Sequence, residues 1–340
     1  MLPAASFVVL VAGLRAADTI VIPFLVAVFV SILSLPFLFW MQSRGVPRVV
    51  AVVTTIMAAT GVLVGAGFLL GGAVSEFATQ LPDYREGLGE SMRRVVEWLQ
   101  ARGLEVETTD LLDPAAIVDL AQATMGRLAQ VLQETVLVVL ITIFILFEAA
   151  YFPAKLRAAM GEGVITDFGH MTGEVQRYLV VKTVLSLIVG LSAGIWVAIL
   201  GLDYPVFWGV LAFLMHYIPN IGAFLASIPV VLLALVQYGP GRALLVVAGY
   251  AVINTVLGNL VEPPLMGRRF GLSTLVVFLS LIFWGWVWGP VGMFLSVPLT
   301  IIIRIMLESS EDWHWLAVLL GPSAPESANE EGGDALQTSH

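Results

Sequence analysis

The chain has 340 residues, 16 basic and 25 acidic side chains, a formal net charge of −9 and no cysteine. It is 59% apolar and only 12% charged, about half the ~25% charge of a soluble domain, and several apolar runs reach the roughly 20 residues that span a bilayer. This composition specifies an all-α polytopic membrane protein and excludes soluble, disordered, fibrous and nucleic-acid-binding classes; without cysteine there is no disulfide scaffold, thiolate metal site or cysteine nucleophile.

Residues 2–14 are apolar but short, and Arg15 and Asp18 follow them. No basic region precedes this run, so a cleaved leader is not expected. Residues 20–41 form a full span containing Pro23 and Pro36. Arg44 and Arg48 mark a basic loop before a second span at 49–72, which completes an N-terminal membrane unit over 1–72. Residues 73–133 change character, with ten acids and five arginines. Leu88, Met92, Val95, Val96 and Leu99 recur at helical spacing, as do Ile117, Leu120, Ala121, Leu128 and Val131. Asp113 and Pro114 read as an N-cap followed by proline at the first helical position. The expectation is a small helical module outside the membrane.

Residues 134–177 comprise a span ending near Tyr151 and a basic, amphipathic, interfacial helix. Residues 178–200 span again. The apolar stretch 205–238 is broken at Pro219, Asn220, Ile221 and Gly222; residues 242–262 span and stop at Pro263 and Pro264. The stretch 275–306 is broken at Gly289, Pro290, Val291 and Gly292. The segment 307–340 is acidic, and from residue 322 it is rich in Ser, Glu, Gly and Ala, too polar to offset its ordering entropy, so it is expected to be disordered.

Topology decides how the two broken stretches are read. If each is a re-entrant hairpin, nine basic residues fall on one face (Arg44, Arg48, Lys155, Arg157, Arg177, Lys182, Arg268, Arg269 and Arg304) and only Arg15 and Arg242 on the other. That is a positive-inside pattern, with 73–133 outside and the C-terminus in the cytoplasm. The architecture is then about six full spans plus two broken hairpins. The tips are alike, with Pro219, Gly222, Phe224, Leu225 and Pro229 in one and Pro290, Gly292, Phe294, Leu295 and Pro298 in the other. Units 178–238 and 239–306 therefore read as an inverted repeat, the pattern of secondary transporters whose broken helices meet inside the membrane.

The residues that would carry chemistry cluster near these breaks. Asn254, Thr255, Gly258, Asn259 and Glu262 occupy one face of an ideal α-helix. Glu262 is read as ending a helix that Pro263 terminates, where its carboxylate would join a negative dipole end and attract a cation, a proton or a polar substrate. The alternative is an interfacial pair with Arg268 or Arg269. On the first reading, Glu262→Gln would lower coupled transport by about tenfold or more and leave folding intact. His216, Tyr217 and Asn220 flank the first tip and would satisfy exposed backbone groups or a solute. Pro219, Gly222, Pro290 and Gly292 define the tips themselves. Small-residue stripes at Ser186, Gly190, Gly194 and Ala198, at Gly61 and Gly65, and at Gly285 and Gly289 would allow close helix approach. Gly190, Ser192 and Gly194 also match the G-x-S-x-G pattern of serine hydrolases. The pattern lies mid-span, away from the strained turn that chemistry needs. No enzyme, metal or cofactor is expected.

Asn259, Glu262, Pro263, Pro264, Gly267, Arg268, Arg269, Gly271 and Ser273, followed by Ser280, Trp284 and Gly285 and then Gly289, Pro290, Gly292 and Pro298, resemble the signature half of the autoinducer-2 exporter family. The tip from His216 to Gly222 and the segment with Asp18, Pro23, Pro36 and Arg48 fit it too. The resemblance implies a bacterial inner-membrane protein with about eight membrane helical elements that assembles as a homo-oligomer, a pentamer among the options. Its members are linked to export of autoinducer-2 or other small polar solutes, and some to sodium/proton antiport. The expected partners are a small polar solute, a proton or sodium ion, and the lipid bilayer, with no nucleic acid. The readings that stay open are an exporter, a cation/proton antiporter, an intramembrane serine protease and a scaffold built on the outer module.

Overall fold

The computed structural model describes residues 2–68, 71, 135–149, 152, 155, 162–219, 221–266, 272–308 and 313–321. The module expected at 73–133, the tail at 322–340, and Asn220, Arg268 and Arg269 lie outside the described residues. In chain order the helices are α1 (Leu2–Ala16), α2 (Asp18–Ser43), α3 (Arg48–Phe68), α4 (Thr135–Ala149), α5 (Glu162–Ile199), α6 (Pro205–His216) and α7 (Gly222–Tyr238). Then come α8 (Pro240–Ile253), a π-helix (Asn254–Val261), α9 (Glu262–Met266), α10 (Thr274–Glu308) and α11 (His314–Leu320). Among the described residues no strand occurs. Among the described residues five helices are long and apolar enough to cross a membrane, namely α2, α3, Gly173–Ile199 of α5, the continuous Pro240–Leu265, and α10 when its two arms are taken together. Large apolar side chains such as Phe24, Phe68, Ile195 and Leu244 lie exposed on them, as suits a surface solvated by lipid. The protein is a multi-pass helical membrane protein.

Because hydrocarbon offers backbone groups no hydrogen bonds, each interruption in a span needs a partner. Pro36 inside α2 has no N–H, so the Ile32 carbonyl four residues earlier loses its helical donor. Gln176 of α5 supplies one, its Nε2 donating to Ile32 O at 3.4 Å. Helix α5 runs unbroken from 162 to 199, so the expected interfacial and spanning pieces are one rod.

The two broken stretches fold back on themselves. Helices α6 and α7 form the first hairpin. Its base is closed by Tyr238, whose hydroxyl donates to Gly201 O at 2.7 Å, and by the Gln237 amide, which donates to the Asp203 carboxylate. At 12 and 17 residues the arms are about 18 and 26 Å long, short of a ~30 Å hydrocarbon core. Helix α10 is also a hairpin, because Trp288 and Gly289 leave helical geometry, Gly289 at φ 63°. Its arms are clasped by Ser280, whose hydroxyl lies 2.5 Å from that of Thr300 and donates to Ser296 O at 3.0 Å.

Both tips have one steric feature in common. A Cβ at Gly222 would collide with the Met215 carbonyl and lie against Ile218; at Gly292 it would collide with the Trp284 carbonyl and lie against Trp288. The first hairpin packs on α5 through glycine as well, since a Cβ at Gly190 would stand 2.7 Å from Gly209 O and one at Gly209 would stand 2.8 Å from Gly190 O. Such contact lets helix backbones touch. Gly61 and Gly65 have nothing within 4 Å of a Cβ. Gly222→Ala and Gly292→Ala should each destabilise the protein by about 1–3 kcal/mol, whereas Gly61→Ala should be neutral. Thermal unfolding of the purified variants checks this, and equal midpoints for all three would refute the tip packing.

Candidate functional site

Three elements bring charged or titratable groups to one buried point. Lys182 projects from α5, His216 closes the last turn of α6 at the first hairpin tip, and Glu262 opens α9. The Lys182 Nζ lies 2.5 Å from Glu262 Oε1, and His216 Nε2 lies 3.3 Å from Glu262 Oε2. Side-chain exposures are 4% for Lys182, 7% for His216 and 19% for Glu262. Each carboxylate oxygen therefore has its own nitrogen partner.

The backbone that presents Glu262 differs from the sequence expectation. Pro263 does not terminate the helix; the chain continues through α9 to Met266. The residues before Glu262 form eight residues of π-helix, and the Glu262 N–H donates to Leu257 O, five residues back. Prolines at 263 and 264 then fall in the first turn of the next segment, where a missing N–H is tolerated. Glu262 is thus not at a free negative dipole end. Wide π-turns are uncommon and concentrate at functional positions.

That geometry also separates residues which α-periodicity places on one face. Asn254 is half-buried, and its Oδ1 would lie 2.9 Å from a Cβ at Gly258; Thr255 and Asn259 are exposed. The structure brings together Glu262 and His216, with Asn254 one layer away, and leaves Asn259 outside. Tyr217 is buried beside the site, donates to Thr183 Oγ1 at 2.6 Å and stacks on Phe294 of the second hairpin, with centroids 4.2 Å apart. Phe29 of α2 packs edge-on against both rings. The two hairpins meet at this stack.

Lys182 is the residue that sequence reading misplaced. It was counted among the loop charges, yet it stands inside the apolar run 178–200 and is 3% exposed. An ionisable side chain within a span is a functional candidate by default, and that rule applied to position 182 would have found it. Arg268 and Arg269 lie outside the described residues, and Glu262 engages Lys182 and His216. Ser192 stays in an unbroken helical turn of α5, and its flanking glycines, Gly190 and Gly194, are accounted for by packing on Gly209.

With this geometry in hand, comparison with known proteins is decisive. The family described as AI-2E family transporter matches residues 5–312. The chain belongs to that family. It is 42% identical over 320 residues to the AI-2 transport protein TqsA of Escherichia coli (strain K12), covering 92% of each chain. It is 37% identical over 339 residues to the putative transport protein YhhT of the same organism, covering 96% of this chain and 95% of that one. At greater distance, the putative transport protein YrrI of Bacillus subtilis (strain 168) is 24% identical over 310 residues, 85% of this chain and 86% of that one. A transport role follows for this AI-2E family member.

The ion pair changes what Glu262→Gln does. A neutral amide leaves Lys182 as a buried charge without its counter-ion, and breaking one side of such a pair costs about 3–5 kcal/mol. Glu262→Gln alone should therefore lower thermal stability and yield, contrary to the sequence expectation of intact folding. Lys182→Met combined with Glu262→Gln removes both charges and should recover most of the loss. A double-mutant cycle by thermal unfolding in detergent measures the coupling; strictly additive effects would mean the pair does not form.

Proposed function

We propose that this chain is a secondary transporter that exports a small polar solute, of the autoinducer-2 kind, across the bacterial inner membrane by alternating access. The observation that carries the reading is the buried Lys182–Glu262 pair with the hairpin residue His216 on its second oxygen. Buried charges in spans mark substrate or ion pathways. Here one of the partners, His216, stands at the tip of a helical hairpin whose arms are too short to span a bilayer. The name of the E. coli relative, AI-2 transport protein, supports the solute class.

The architecture supports the mechanism. A span followed by a hairpin occurs twice, α5 with α6 and α7, then α8 to α9 with α10. The tips share the glycine-to-carbonyl close approach at Gly222 and Gly292, as two copies of one unit would. Placing basic loops in the cytoplasm, with Lys182 removed from that tally, still leaves eight such residues against Arg15 and Arg242. On that orientation the units are inverted, segment 73–133 is outside and the C-terminus is cytoplasmic. The first hairpin then descends from the outer side, and its tip reaches the ion pair toward the inner side. A proton or the solute competing for Glu262 would release His216 and with it the tip. The homo-oligomer implied by the family resemblance belongs to the same proposal.

Purified protein in proteoliposomes, given an imposed proton gradient and autoinducer-2 or other small polar solutes, tests the reading. Gradient-dependent flux is the expected outcome. The folded Lys182→Met/Glu262→Gln variant should carry at least tenfold less, the factor that about 1.4 kcal/mol at a binding step produces. Wild-type flux in that variant would remove the ion pair from the mechanism.

A further inference from the structure

Behind the His216 side of the ion pair lies a small cavity of about 20 Å³ between α5, the two arms of the first hairpin, α8 and the start of the π-helix. Its walls include the small side chains Ala193, Ala212 and Ala226, and three polar residues: His216, Tyr250 and Asn254. Tyr250 is 8% exposed and its hydroxyl has no hydrogen-bond partner among the described residues. A buried hydroxyl in that state is strongly disfavoured unless something completes it.

We propose that this cavity is a binding site for one water molecule, held by the Tyr250 hydroxyl, the Asn254 amide and the His216 ring. The volume decides the ligand. About 10–15 Å³ of such space admits one water and a dry state suits apolar walls only, while a buried water makes roughly three hydrogen bonds. The space is too small for a solute, and three of the nine residues that line it are polar. The bound water completes Tyr250 and links the Glu262–His216 contact to α8, within an interface that is otherwise direct apolar packing of α7 on α8 through Ala226, Val230, Ala243 and Val246. This site rests on cavity geometry and is independent of the transport reading.

Tyr250→Phe reads the sign directly. If the hydroxyl binds water, its removal strands the water and lowers the thermal midpoint of the solute-free protein, by roughly 2 °C or more. If the hydroxyl is merely orphaned, its removal relieves a buried polar group, and the midpoint stays or rises. The second measurement is a cryo-electron map of the unsubstituted protein that resolves other buried waters; density within hydrogen-bond reach of the Tyr250 hydroxyl is expected. An unmoved or raised midpoint, or an empty cavity in such a map, overturns the proposal.

Discussion

The Lys182–Glu262 ion pair organises the C-terminal half of this protein. Two opposite charges withdrawn from water persist only when each satisfies the other at close range, and this pair does so while joining α5 to the segment that follows the π-helix. Everything near it is arranged to hold that geometry. The π-turns and the two prolines set the carboxylate at its position, and His216 takes the oxygen that Lys182 leaves. The pair fixes two long elements relative to each other, while the third participant arrives on a hairpin tip that is covalently tied to them only through loops.

The hairpins obey a second constraint, that backbone groups deep in a membrane protein find partners inside the protein. The arms solve it with glycine contacts and short side-chain bridges: tip glycines against carbonyls, Ser280 against Thr300 and Ser296, Tyr238 against Gly201. Their interface with each other is of a different kind. Tyr217 on Phe294, with Phe29 at the edge, is an aromatic contact worth about 0.5–1.5 kcal/mol per pair beyond burial. The hairpins are thus tightly made within themselves and more weakly joined to one another.

Much of this fold was legible in the sequence because its main signals are local. Apolar runs of spanning length, and Gly and Pro clusters at 219–222 and 289–292, located the membrane helices and both breaks. The site was half legible. Glu262 and His216 stood out as polar residues beside breaks, but their pairing depends on contacts between residues 46 apart in sequence, and Lys182 is 80 residues from its partner. The reading of the Asn254 to Glu262 face failed for a specific physical reason: it assumed 3.6 residues per turn where the backbone follows i to i−5 bonds. Nothing in the residues Asn254 to Val261 forces that widening by composition. Prolines at 263 and 264 carry no N–H, which deprives the Asn259 and Leu260 carbonyls of their i+4 donors next to the widened turns.

The bond from Gln176 to the carbonyl freed by Pro36 has a consequence for how this molecule can move. A slide of α5 by one helical turn, roughly 5.4 Å, would leave an amide and a carbonyl facing apolar neighbours with no replacement at hand. The kink in α2 and the glutamine on α5 therefore act as an index pin, holding the depth of α5 against α2. Because Lys182 rides on the same rod, the depth of the ion pair is set by the same contact.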